Sequence, residues 1–317
     1  MKSRAVLFAG LSLLIGFSGL PALAQQGPAP YMEPSLLLEL SQQRQGVAGD
    51  QLKQALLQFT EVLGERCEAA PDTVLVRFRS ALSAWGALNA MQTGFVLDGE
   101  LSKRLGFLPV RPAQIERAVA AGTPLVNVGV TAKGFGALEW LVVRGKLGSA
   151  PAECLYARQV LDEMLAQLDK ARSLQKPAQF TQADLDLYAN QLMGSVQTLA
   201  WAYLEKPLEQ ARDGVRNPGV YGASGSQWVW LKATWAGVSP QVDDLTSFLA
   251  GQGKLQIADQ LAAQRDKVNQ ALLSSAPPNE AGLRLLANHL KLLHQQLQNI
   301  VVNDLKVSIR FSSSDGD

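Results

Sequence analysis

Leu283, Leu286, Leu290, Leu293, Leu297 and Ile300 step alternately by three and four residues. A seam with that spacing fits the side of an α-helix that packs against other helices, and it excludes a strand. The same period recurs along the chain. Leu52, Leu56, Phe59 and Leu63 carry it, as do Val74, Phe78, Leu82, Trp85 and Leu88, and later Leu185, Tyr188, Leu192, Val196 and Leu199. Two-residue alternation is absent except for a short trace over residues 301–311. The expected fold is all-α, most simply two helical bundles packed side by side.

Punctuation divides the 317 residues. Lys2 and Arg4 precede an apolar run over residues 5–20, and Ala22 and Ala24 place small residues before a cut after Ala24. This is the pattern of a secretory signal peptide, so residues 1–24 are read as a leader and the mature protein as exported to the periplasm. No later segment is long and apolar enough to cross a bilayer. An N-terminal bundle is expected over residues 31–174 and a C-terminal bundle over 178–305, with Gln175-Lys176-Pro177-Ala178 between them and a polar tail over 306–317.

Within the first bundle, residues 31–45 read as a short helix stopped near Gly46, and Asp50 as the N-cap of the next. Residues 94–112 read as irregular, and Pro112 opens a short helix. Thr181 is expected to cap a core helix that Pro207 kinks or ends. Residues 213–226 read as a surface loop. Trp228, Leu231 and Trp235 share one helical face and Trp230 another, which suits core filling better than a ligand stack. Ser239-Pro240 reads as a fresh helix start.

The formal net charge of +1 gives no electrostatic footprint for nucleic acid. Export and an even count of two cysteines favour a Cys67–Cys154 disulfide. The two histidines, His289 and His294, are five apart with no carboxylate between them, which excludes a His-Glu-x-x-His zinc site. Gly222-Ala223-Ser224-Gly225-Ser226 misses the nucleophile-elbow pattern at its last position. Gly251-Gln252-Gly253-Lys254 lacks the features of a phosphate loop and reads as a helix-to-helix turn.

One carboxylate stands out. Residues 134–143 form an apolar run opened by Gly134 and Gly136, with Glu139 in apolar company on every side. A carboxylate in such a place must be paired, liganded or protonated. The plainer alternatives are a helix that turns Glu139 to water or an ion pair with Arg104, Arg111 or Arg144.

Gly134-Phe135-Gly136-Ala137-Leu138-Glu139 resembles the Gly-x-His-x-x-Glu hallmark of the imelysin-like family, with Gly136 where that family has a histidine. Trp85, the Arg104 loop and Cys154-x-Tyr156-Ala157 add to the resemblance. It implies a duplicated helical-bundle architecture in an exported protein tied to iron acquisition or homeostasis, with iron as the implied cofactor. It places the ligand site at Gly134, Gly136, Glu139 and Arg104, with Glu139 as the metal ligand that remains, aided by an acid such as Glu100 or Asp98. The missing histidine disfavours M75-type metallopeptidase activity. The resemblance leaves a binding protein for an iron-containing ligand, or an interaction module for an envelope partner.

Overall fold

The computed structural model describes residues 33–175 and 180–305. The leader, the greater part of the 175–178 connection and the 306–317 tail, with most of the alternating 301–311 stretch, lie outside them. Every regular element among the described residues is helical.

Helix α1 runs unbroken over Pro34–Leu63, so the expected stop at Gly46 and restart at Asp50 do not occur. Gly46 costs about 1 kcal/mol of helix propensity. Burial on both sides of it, from Leu37 and Leu38 to Leu52, Leu56 and Phe59, outweighs that cost. Asp50 caps nothing and instead pairs with Arg172. Helix α2 follows over Pro71–Asn89, started by a proline whose missing N–H costs nothing in a first turn.

The stretch expected to be irregular holds two short helices, α3 (Gly94–Asp98) and α4 (Leu101–Leu105). Phe95, Val96, Leu101 and Leu105 are their buried anchors. Helix α5 (Pro112–Ala121), two single 3₁₀ turns and α6 (Gly134–Val143) lead to α7 (Pro151–Ser173). The Cys67–Cys154 disulfide ties the middle of the α1–α2 connection to the first turn of α7, with Cα atoms 5.9 Å apart.

Helix α8 (Gln182–Ala200) opens with a capping box, Thr181 and Asp184 each bonding the other's backbone N–H. Pro207 does not end the helical path. A π-turn over Trp201–Glu205 widens the ladder ahead of it, and α9 (Lys206–Arg212) takes Pro207 in its first turn. Helix α10 is continuous over Gln227–Gly251 with Pro240 inside it, so the expected start at Ser239-Pro240 is also not seen. The carbonyl that Pro240 leaves without a partner belongs to Ala236, on the exposed side of the helix where water reaches it. Helices α11 (Leu255–Ala271) and α12 (Glu280–Asn303) close the fold, α12 capped by Asn279.

The buried side chains fall into two clusters. One is enclosed by α1 to α7 and takes in Tyr221 and Trp230; the other lies among α8 and α10 to α12 and takes in Leu37, Leu38 and Ala90. The α12 seam fills the second, with Leu286, Leu290, Leu293, Leu297 and Ile300 all buried. Helix α10 serves both clusters, Trp230 on one face and Leu231 and Trp235 on the other. It crosses α2 at very close range. A Cβ on Gly237 would stand 2.2 Å from the Ala87 carbonyl oxygen, and one on Gly86 would stand 2.8 Å from the Ala233 Cβ. Only glycine lets the two backbones meet this way.

Candidate functional site

Helix α6 is the most deeply buried short element. Phe135, Ala137, Leu138 and Leu141 have no exposed surface, and Glu139 retains 8%. Its entry requires glycine twice. Gly134 adopts a left-handed φ of +67°, and a Cβ there would lie 2.3 Å from the Leu105 carbonyl oxygen. A Cβ on Gly136 would lie 2.4 Å from Val110 Cγ1 and 2.9 Å from Leu108 Cδ2. The loop carrying Leu108 and Val110 therefore occupies the space a larger residue at 136 would need. Phe135 stacks on Trp85 at 6.0 Å with ring planes 10° apart.

Glu139 is satisfied from far along the chain. The Ser224 backbone N–H donates to Glu139 Oε1 at 2.9 Å, and the Ser224 hydroxyl lies 2.8 Å from the same oxygen. The Ser224 hydroxyl is also 2.8 Å from Ser226 Oγ and 3.2 Å from the Tyr221 carbonyl oxygen. It has one proton to give, and an ionised Glu139 is the strongest acceptor among the three. Arg79 on α2 completes the arrangement. Its Nε donates to Ser226 Oγ at 3.2 Å and its Nη2 to the Ser224 carbonyl oxygen at 2.9 Å. The turn before α10 is thus held by α6 through a carboxylate and by α2 through a guanidinium.

Burial raises the Glu139 carboxyl above its ordinary range, and the two Ser224 hydrogen bonds pull the other way by favouring the anion. Beneath the turn, Tyr221 packs edge-on against Phe78 at 6.4 Å and Trp230 at 5.1 Å. Burial pushes its hydroxyl well above the usual tyrosine value. The Trp85 indole lies close enough to favour the Tyr221 anion, yet its Nε1 makes no hydrogen bond of good geometry.

The structure sets Gly134, Gly136 and Glu139 together on α6 and gives Arg104 other partners. Arg104 pairs with Glu100 at 3.0 Å and donates to the Gly99 carbonyl oxygen. Arg144 pairs with Glu153 and Glu116 and lies over the Trp140 ring at 4.6 Å. Arg111 precedes α5, its backbone N–H bound to the Thr131 carbonyl oxygen. His294 lines a groove beside α8, and His289 has a buried Nδ1 without a partner.

The donor set around Glu139 does not fit the metal that the resemblance implies. Its Oε1 is engaged by two donors, Arg79 brings a cation within two hydrogen bonds of it, and position 136 is walled by aliphatic side chains. Among the described residues no group of three His, Cys, Asp or Glu side chains is placed to hold a metal ion. Ser224, Ser226, Arg79 and Tyr221 are the members that sequence reasoning missed. The glycine-serine run at 222–226 was the available signal, but it points to a tight turn and says nothing of a partner 85 residues away.

The imelysin model of the M75 peptidase family matches residues 48–302. No curated protein matches the chain. Among solved structures, an imelysin-like protein from Psychrobacter arcticum is similar, with a TM-score of 0.68, 15% identity and coverage of 88% of this chain and 96% of that one. So is a protein from Parabacteroides distasonis described as an iron-regulated protein A precursor, with a TM-score of 0.61, 13% identity and coverage of 84% and 92%.

Proposed function

The chain belongs to the imelysin family, and we propose that within it this protein is an exported binding protein of the cell envelope, without peptidase chemistry, that serves iron acquisition or homeostasis. One observation carries the reading. The glutamate of the family motif is engaged by Ser224, and the place beside it, at Gly136, is filled by Leu108 and Val110. A metallopeptidase needs three protein ligands and an open coordination position. Here the carboxylate instead holds the turn that leads into α10.

Export is supported by the leader pattern of residues 1–24 and by the Cys67–Cys154 bridge, which suits an oxidising compartment. No helix among the described residues is long and apolar enough to cross a membrane. The iron assignment rests on the family resemblance and on the iron-regulated neighbour. With no ready-made ligand cluster among the described residues, the iron is taken up as a complex whose own ligands satisfy the metal.

Two measurements test the proposal. The purified protein is incubated with an unfolded protein substrate, with zinc or with chelator, and intact substrate is expected in both; chelator-sensitive cleavage overturns the non-enzymatic reading. Calorimetry with ferric citrate, haem, ferrous iron and zinc is expected to give heat with a chelated form of iron. Silence with all four removes iron from the account.

A further inference from the structure

Residues 213–226 join α9 to α10, and their backbone is tightly wound. Gly214, Asn217, Gly219, Tyr221 and Gly225 all take a positive φ. For glycine that conformation is ordinary, but a side chain as large as tyrosine adopts it only under strain, and Tyr221 has φ +57°. The turn also folds closely on itself: a Cβ on Gly222 would stand 2.0 Å from the Asn217 carbonyl oxygen. Strain of this kind persists only where the surroundings impose it, and it gathers at segments that switch.

The surroundings here make three ties, all from residues around the first cluster. The Tyr221 ring packs on Phe78 and Trp230, Glu139 accepts from Ser224, and Arg79 donates to the Ser224 carbonyl and the Ser226 hydroxyl. The other backbone bonds of the turn are local, from the N–H groups of Gly222, Gly225 and Ser226 to the carbonyls of Gly219, Gly222 and Tyr221. Residues 213–217 are exposed, whereas Tyr221 keeps 2% of its surface.

A second penalty lies beneath the turn. Trp85 has no exposed surface, and its indole N–H has no hydrogen-bond partner. The Tyr221 phenol lies beside that indole without satisfying it. A buried donor left in this state costs free energy that contact with water would return. Withdrawal of Tyr221 relieves both penalties at once, the left-handed backbone and the orphaned N–H. We propose that residues 219–226 form a strap that opens as a unit while the helices stay folded, lifting Tyr221 out of the first cluster and uncovering Trp85 and the Glu139 carboxylate. Closed, as here, the strap shuts Glu139 away from solutes. Open, it presents that carboxylate together with Trp85, Phe78 and Trp230.

Hydrogen exchange of the purified protein at neutral pH tests the strap, read by NMR at the Ser224 amide and the Trp85 indole N–H. The Trp235 indole, bonded to Asn269 in the second cluster, is the control. The two strap probes should show equal protection, about a hundredfold or more below that of the Leu82 amide in α2, because local opening needs less free energy than global unfolding. Ser224→Ala removes one donor to Glu139 and keeps the backbone N–H; it should speed exchange at the Trp85 indole about tenfold and leave Trp235 unchanged. Arg79→Ala should do the same from the other side and decides the matter if Ser224→Ala fails to fold. Exchange of the Trp85 indole only at the rate of the α2 core overturns the proposal. So does a Trp85 rate that neither substitution changes. The strap requires neither iron nor the absence of peptidase activity, so those measurements and this one can fail separately.

Discussion

Glu139 is held in tension between burial, which favours its protonated form, and two donors from Ser224, which favour the anion. Its raised pKa means that the folded protein keeps this proton to higher pH than the unfolded chain does. Its contribution to stability is therefore full below the ordinary value of 4.5 and is lost as pH rises through the folded value. Glu139→Gln keeps an acceptor for Ser224 and removes the titration. Urea unfolding of both proteins from about pH 4 to about pH 7 should show the difference moving in favour of the variant as the pH rises. A flat difference contradicts the assignment. Gly136→His, which restores the family residue, meets Val110 and Leu108 and should lower stability by about 1–3 kcal/mol in thermal unfolding, as overpacking does; an unchanged midpoint would show that the loop yields freely. At this scale the sequence was half legible. The apolar neighbours of Glu139 announced its burial, but a hydrogen bond spanning 85 residues leaves no periodic trace, so Ser224 and Arg79 were invisible.

Glycine reads differently from one helix to another. Gly194 in α8 has nothing within 4 Å of where a Cβ would sit, whereas the same atom on Gly237 would collide with Ala87 of α2 and with Ala90 just past its end. Gly194→Ala should therefore stabilise by up to about 1 kcal/mol. Gly237→Ala should destabilise by about 1–3 kcal/mol, because the clash exceeds the gain in propensity. Paired thermal melts check the opposite signs, and a rise for Gly237→Ala would refute the close crossing. Elements were the most legible level, since periodicity is a local property and α2, α8 and α12 follow from it directly. The misreadings at Gly46 and Pro240 share one cause. Local penalties of about 1 and about 3 kcal/mol were taken as stops, where apolar surface buried on either side carries the helix through.

For the molecule as a whole, the first cluster contains both ends of the disulfide, and the bond spans a sequence separation of 87 residues. Closing a loop of that length in the unfolded chain stabilises the native state by about 4–5 kcal/mol in the chain-entropy treatment. Reductant should accordingly lower the urea midpoint substantially; an unaltered midpoint with the thiols shown to be free would mean that helix packing alone holds this half. The all-helical architecture and the pairing of Cys67 with Cys154 were open to sequence reasoning. The way α10 serves two cores while crossing α2 was not, because it depends on which face of one helix meets another.

That bridge also bears on how the protein matures. Two cysteines permit a single intramolecular pairing, so no scrambled isomer of one chain exists to be corrected. An oxidant alone suffices to form that pairing, and it can act only once residue 154 has been made and brought to residue 67. The thiol at 67 must wait, reduced, while the whole motif helix emerges between them.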